Sequence, residues 1–229
     1  MSQIILLTAS CEEAGRIQNA LLLADALAKQ KRTLLIDLDT VTRSLDLFCQ
    51  MQDRIVYTLQ DYLIGRAALR DTLVRGNKNF DLYLMFSSLR PQTGKLKLAP
   101  LCNQLSRRFE IVLLQLHAES GMLKEAAEAA SRAVIFSNDS PLSLRCAKNI
   151  RDILYTEFQI ADQRLLLWGL SHKEKIPVDD LIDQAGMQLA GLVPALPQLS
   201  YKDFPKLLEQ KKSEIDGIYV EIATRLLEL

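Results

Sequence analysis

A doubly wound α/β fold, with a mostly parallel sheet and helices on both faces, is predicted by three features of the sequence. Short apolar runs alternate with helix-period patterns along the whole chain. No low-complexity linker, internal repeat or Pro/Gly-rich break interrupts residues 1–229, so a single domain is expected. With 48% hydrophobic and 24% charged residues in a chain of 229, there is enough apolar material for one full core.

The elements follow in order. Residues 4–8 (IILLT) are a short apolar run and read as the first strand, and 14–29 as a helix because Ala14, Ile17, Leu21, Ala24 and Ala28 recur at helical spacing. Strand 33–38 (TLLIDL) comes next, with Lys29, Lys31 and Arg32 before it as the cationic end of the helix. Further strands are read at 81–86, 111–116, 133–137, 165–168 and 189–193, each a run too short for a helix. Helices are read at 57–64, 95–108, 123–131, 142–156, 178–185 and 214–227. On the last, Ile215, Ile218, Ile222 and Leu226 form an apolar stripe suited to packing on the sheet.

Lys plus Arg and Asp plus Glu each number 28, so no net charge draws the chain to nucleic acid or an acidic membrane. Cys11, Cys49, Cys102 and Cys146 are scattered, without a CxxC pair or a metal spacing, which fits buried apolar residues in a reducing cytoplasm. Residues 4–7 are too short and too uncharged upstream for a signal peptide, and no apolar run approaches the roughly 20 residues of a membrane span. His117 and His172 have no nucleophile or partner beside them in sequence and read as structural or surface residues.

In such sheets ligands bind at the carboxyl ends of the strands. That rule points to residues 10–16, 37–43, 115–121 and 194–200. The segments there resemble a known family: IILLTASCEEAGRIQNALLLADALAKQKRTLLIDLDTVTRSLDLF is similar to the opening of the MinD/ParA family of deviant Walker P-loop ATPases. The resemblance continues through RIVYTLQDYLIGRAALRDTLVRGNKNFDLYLMFSS, FEIVLLQLHAESG, AVIFSNDSPLSLRCAKNIRDIL and QLAGLVPALPQL, and so covers nearly the whole chain. LLIDLD, RSLDLF and RIVYTLQDYLIG are close to MinD-type members in particular.

The chemical motif departs from the family. A phosphate loop wraps phosphates in backbone N–H groups, neutralises them with Lys and holds magnesium through Ser/Thr. Aligned on the resemblance, the early Lys falls on Cys11, two glycines on Glu12 and Glu13, the second Lys on Arg16 and the Thr on Ile17, while Gly15 is kept. Gln115 stands at the position that the resemblance gives to a magnesium-organising Asp, and Trp168-Gly169 at that of a purine-contacting Asn. Asp37 and Asp39 remain, the later one at the position that the family sets near the attacking water. A carboxylate within about 4 Å of a phosphate charge repels it by ~1 kcal/mol in water and ~4 kcal/mol at an effective dielectric near 20, so Glu12 and Glu13 oppose a triphosphate.

Ser10-Cys11-Glu12-Glu13 also reads as an S-x-x-E capping box, which predicts a helix starting near Cys11 with its N-terminus satisfied by its own acids. These departures lead to a set of expectations. The degenerate site at 10–17 comprises Ser10, Cys11, Glu12, Glu13, Gly15, Arg16 and Ile17 with Asp37, Asp39 and Gln115. The protein is then a pseudo-ATPase, not an enzyme, with neither ATP nor magnesium as cofactor and no catalytic or metal-binding residue. It acts as an adaptor or regulator of a spatially organised or membrane-associated bacterial machine such as a division site, flagellum, pilus, secretion or polysaccharide-export assembly. The alternative is a nucleotide-binding switch that does not hydrolyse. The expected partner is a protein, either an active MinD/ParA-type ATPase or a secretion or division component. Nucleic acid and an ATP-dependent homodimer are not expected. The chain stops at RLLEL without the basic amphipathic segment that MinD relatives carry, so no autonomous membrane binding is expected and the inner membrane is reached only through a partner.

Overall fold

The computed structural model describes residues 2–9, 15–40, 44–76, 81–88, 98–170, 177–195 and 214–228. The strands are β1 (Gln3–Ala9), β2 (Thr33–Asp37), β3 (Val74–Arg75), β4 (Leu82–Phe86), β5 (Ile111–His117), β6 (Arg132–Ser137), β7 (Gln163–Leu170) and β8 (Gln188–Pro194). The helices are α1 (Arg16–Ala28), α2 (Leu45–Cys49), α3 (Leu59–Leu63), α4 (Leu98–Leu105), α5 (Leu123–Ala129), α6 (Pro141–Thr156), α7 (Val178–Ala185) and α8 (Glu214–Leu227).

One eight-stranded sheet runs in the order β3-β4-β2-β5-β1-β6-β7-β8. Only β3 is antiparallel, pairing Val74 with Leu84 at the edge. β1 lies between β5 and β6, and β2 between β4 and β5, so the sheet is wound outward in both directions from β1. Buried on both faces, the central strands are continuous apolar runs instead of alternating ones, as in Ile5, Leu6 and Leu7 of β1.

Two apolar layers flank the sheet. One joins α1 and α8 to Ile5, Leu7, Leu35 and Leu113. The other joins α4, α5, α6 and α7 to Leu6, Leu34, Leu114 and Ile135. Helix α1 is enclosed nearly all round, since α8 covers the side that the sheet does not. The predicted stripe on α8 is realised as Ile222 and Leu226 in the core with Ile215 and Ile218 packed against it. The approach of α8 to the sheet depends on Gly191 of β8, where an added Cβ would lie 2.3 Å from Ile222 Cγ1.

All seven strands read from the sequence are present. Two short elements were not anticipated, β3 and α2, because two and five residues are too few to show a period. Helix α3 opens on a capping box between Thr58 and Asp61, a local signal carried by the TLQD of YTLQDYL. Helix α1 starts five residues later than expected near Cys11, at Arg16.

Candidate nucleotide site at the carboxyl ends of β1, β2 and β5

Helix α1 starts at Arg16, after Gly15 in the left-handed conformation (φ 61°, ψ 36°), with no side-chain cap and no acidic residue in its first turn. This corrects the expectation of a helix beginning near Cys11 with its own carboxylates on the dipole. A left-handed residue cannot lie inside an α-helix, so Glu12 and Glu13 precede the helix instead of forming its first turn. Ser10, Cys11, Glu12 and Glu13 themselves lie outside the described residues, and so does the capping box read there. After the end of β1 the described chain resumes at a left-handed glycine that leads directly into the N-terminus of α1, an arrangement whose first backbone N–H groups can face an anion.

Gly15 is enclosed. A Cβ built on it would lie 2.7 Å from Trp168 Nε1 and 3.1 Å from Asn19 Nδ2, so the indole of β7 lies against its backbone. Asn19 Nδ2 donates to the Gly15 carbonyl at 2.9 Å, and the Asn19 side-chain oxygen accepts from the Tyr219 hydroxyl of α8. Asn19 and Tyr219 were missed in the sequence; the one signal was Asn19 four residues after Gly15.

Arg16, Asp37, Asp39 and Gln115 come together. Arg16 Nη2 donates to Asp39 Oδ2 at 2.8 Å, and both side chains are buried. The Asp39 backbone N–H donates to Asp37 Oδ1 at 2.9 Å. Parallel register sets Asp37 beside Gln115 and Leu7 beside Gln115, which brings the carboxyl ends of β2, β5 and β1 level. With the Gln115 amide oriented so that both its groups find partners, its nitrogen donates to Asp37 Oδ1 at 2.8 Å and its oxygen accepts from Arg16 Nη1. Gln115 thus bridges the arginine and the acid in place of a charge. Ile17 points into the core at 6% exposure, and its side chain offers no oxygen to a metal.

Asp37, Asp39 and Asp46 are buried together, with Arg16 bonded to Asp39. Burial pushes the Asp37 carboxyl up to about 7, the Asp39 and Asp46 charges add to that, and the Asp39 N–H and Arg16 oppose it. Asp37 Oδ2 has no hydrogen-bond partner among the described residues. An orphaned buried acceptor beside a helix start fits a site that receives a cation or donor from outside. Asp46, within RSLDLF, was not singled out in the sequence.

The remaining candidates separate from this cluster. His117 Nδ1 accepts from the Glu119 N–H at 3.2 Å and has a structural part, while His172 lies outside the described residues. Burial, with Asp37 and Asp46 nearby, pushes the Cys49 thiol up, and burial alone raises that of Cys102, so neither is poised for reaction. Among the described residues no group of His, Cys, Asp and Glu has the geometry of a metal centre. No helix among them is long and apolar enough to cross a membrane.

The fold and the β1–Gly15–α1 frame define a P-loop NTPase-like α/β protein. No protein-family model matches the chain. It is 26% identical to a putative septum site-determining protein MinD from Emiliania huxleyi over 99% of this chain and 88% of that protein. MinD in the MinC:MinD cell division complex of Aquifex aeolicus superposes with a TM-score of 0.86 at 22% identity, covering 100% of this chain and 96% of that one. The Pyrococcus horikoshii MinD complexed with Mg-ADP gives 0.82 at 18% identity, covering 99% and 96%, and the Pyrococcus furiosus cell division ATPase MinD gives 0.84 at 17%, covering 100% and 99%. Along nearly its whole length the chain is thus similar in sequence to MinD proteins, and it shares the fold of the solved MinD structures.

Two expectations are overturned by these findings. The protein was read as no enzyme, yet its relatives are MinD proteins, one of them described as an ATPase, and nothing shows this chain to be inactive. It was read as using neither ATP nor magnesium, yet a relative of the same fold holds Mg-ADP. The physical reason for both errors is the same. Substitutions in a loop were counted as losses, although Gly15, the N-terminus of α1, Arg16 and the Asp37–Asp39 pair retain the parts that backbone and charge supply.

Proposed function

We propose that this chain is a nucleotide-dependent MinD/ParA-type protein of cell division or partition, and that it regulates a spatially organised assembly through a protein partner. The observation that carries the reading is the start of α1 at the left-handed Gly15 and Arg16, facing Asp37, Asp39 and Gln115 at the ends of β2 and β5. The residues fit a nucleotide with its magnesium ion. Backbone N–H groups at the start of α1 and the Arg16 guanidinium would hold phosphate oxygens, and Asp37 with its orphaned Oδ2 would hold or orient the metal's shell. The metal supplies charge neutralisation of the phosphates when bound. Asp39 holds Arg16 in the described state, so phosphates compete with a carboxylate for one guanidinium. That competition makes nucleotide occupancy and the position of β2's end interdependent.

A protein partner belongs to the reading because the A. aeolicus relative was solved as a MinC:MinD complex. Leu47, Val56 and Ile64 leave apolar side chains exposed within residues 47–64 of this chain, which supports a partner surface there. The test is a melting curve with and without millimolar Mg-ADP, together with turnover of Mg-ATP. A stabilisation that Arg16→Ala abolishes is expected; a wild type whose melting temperature and turnover both ignore nucleotide would overturn the reading.

A further inference from the structure

At the opposite end of the sheet, the amino ends of β1, β2 and β5 frame a cleft of about 540 Å³. Lys31 and Arg32 enter it from the residues before β2, and Arg107 and Arg108 from those before β5. Four cationic side chains face one carboxylate there, Glu110, in a chain whose net charge is zero. Glu110 is engaged already: its Oε1 lies 3.2 Å from Lys31 Nζ and its Oε2 accepts from the Arg32 backbone N–H at 3.1 Å. Arg16, Arg66, Arg132, Arg151, Arg164 and Arg225 each reach a carboxylate. Arg32, Arg107 and Arg108 have no carboxylate partner among the described residues.

Arg32 is also held in place. Its guanidinium carbon lies 5.2 Å from the Tyr83 ring centroid and 5.3 Å from that of Phe109, two rings packed edge to face at 5.5 Å. A cation stacked in this way loses little freedom when it meets an anion.

We propose that this cleft is a second anion site, remote from the nucleotide site, that takes a phosphate-bearing ligand. Three guanidinium groups without carboxylates offer the paired N–H donors that match phosphate oxygens, and the volume suits a small ligand or a headgroup. The same chemistry is carried by a soluble phosphorylated compound and by an anionic lipid headgroup.

The experiment uses the full chain with saturating Mg-ADP and follows backbone and arginine side-chain resonances as inorganic pyrophosphate is added. In parallel, the protein is sedimented with phosphatidylglycerol vesicles and with phosphatidylcholine vesicles. Saturable shifts at Arg32, Arg107, Arg108 and Glu110 are expected, with affinity at least about tenfold weaker in R107E/R108E and largely kept in R107K/R108K. All three forms should melt alike, since Arg107 and Arg108 are exposed. Pyrophosphate binding that depends on these arginines, without vesicle binding, assigns the site to soluble phosphates. Phosphatidylglycerol binding lost in R107E/R108E assigns it to a headgroup. No saturable shift in the millimolar range and no arginine-dependent vesicle binding overturns the proposal, as does binding that R107E/R108E leaves intact.

Discussion

Arg16 Nη2 and Asp39 Oδ2 lie 2.8 Å apart with their side chains 8% and 5% exposed, which makes them a buried ion pair joining the start of α1 to the end of β2. Its members belong to the two segments that a nucleotide would contact in the proposed function. The pair therefore bears on stability and on ligand binding together.

Arg16→Ala is expected to destabilise the nucleotide-free protein by about 1–3 kcal/mol, because the buried Asp39 carboxylate loses the guanidinium bonded to it. Asp39→Asn alone should cost less, since Gln115 still accepts from Arg16. The double variant Arg16→Met with Asp39→Asn should recover most of the loss. Urea unfolding of the three variants checks this, and additive losses would show that the two side chains do not act as a pair.

The pH dependence follows from Asp37, whose carboxyl is raised from 3.8 to about 7 by burial. A raised acid binds its proton more tightly in the folded protein. Its contribution is therefore complete below about pH 4 and is lost as pH rises toward 7. Between pH 5 and 8 the wild type should lose on the order of 2–3 kcal/mol from this group. Asp61 and Glu110, whose carboxyls are lowered, act only below their ordinary values and leave that window clear. Asp37→Asn should flatten the curve of unfolding free energy against pH, and an unchanged slope in that variant would assign the effect elsewhere.

How far the sequence could be read divides along physical lines. Ile5–Leu7, Leu34–Ile36 and Val112–Leu114 announced their strands because a strand buried on both faces must be apolar throughout. The Asp37–Gln115 neighbourhood followed from strand order once the family resemblance was seen. Gln115 as a bridge was not legible, since an amide carries no charge and its value lies in geometry alone. Tyr219 and Asn19 are 200 positions apart, and no periodicity links them. The start of α1 at Arg16 was not legible, since the positive φ of Gly15 that precedes it leaves no mark in the periodicity.

Tyr219→Phe should destabilise the protein by about 0.5–1.5 kcal/mol, the worth of the buried hydrogen bond between Tyr219 and Asn19 across α1 and α8. Asn19→Ala should cost a similar amount through the Gly15 carbonyl, which keeps only the Asn19 backbone N–H. The two side chains form one chain of contacts from α8 to Gly15, so the double variant should lose clearly less than the sum. A double-mutant cycle by urea unfolding measures the coupling, and a coupling near zero would mean that α8 does not report on Gly15.

Gly15→Ala tests the frame of the nucleotide site most directly. At φ 61° a Cβ costs roughly 1–2 kcal/mol by itself, and here it would also meet Trp168 Nε1 at 2.7 Å and Trp168 Cε2 at 2.8 Å. The indole must move, or α1 must shift its first turn. Trp168 is the chain's one tryptophan, so its emission reports the displacement without a label. Gly15→Ala should change the emission spectrum and weaken Mg-ADP binding. In a Trp168→Ala background, Gly15→Ala should cost only the left-handed term, about 1–2 kcal/mol. If Gly15→Ala leaves the emission, the stability and Mg-ADP binding as they were, the close approach of β7 to the head of α1 is not a constraint on the site.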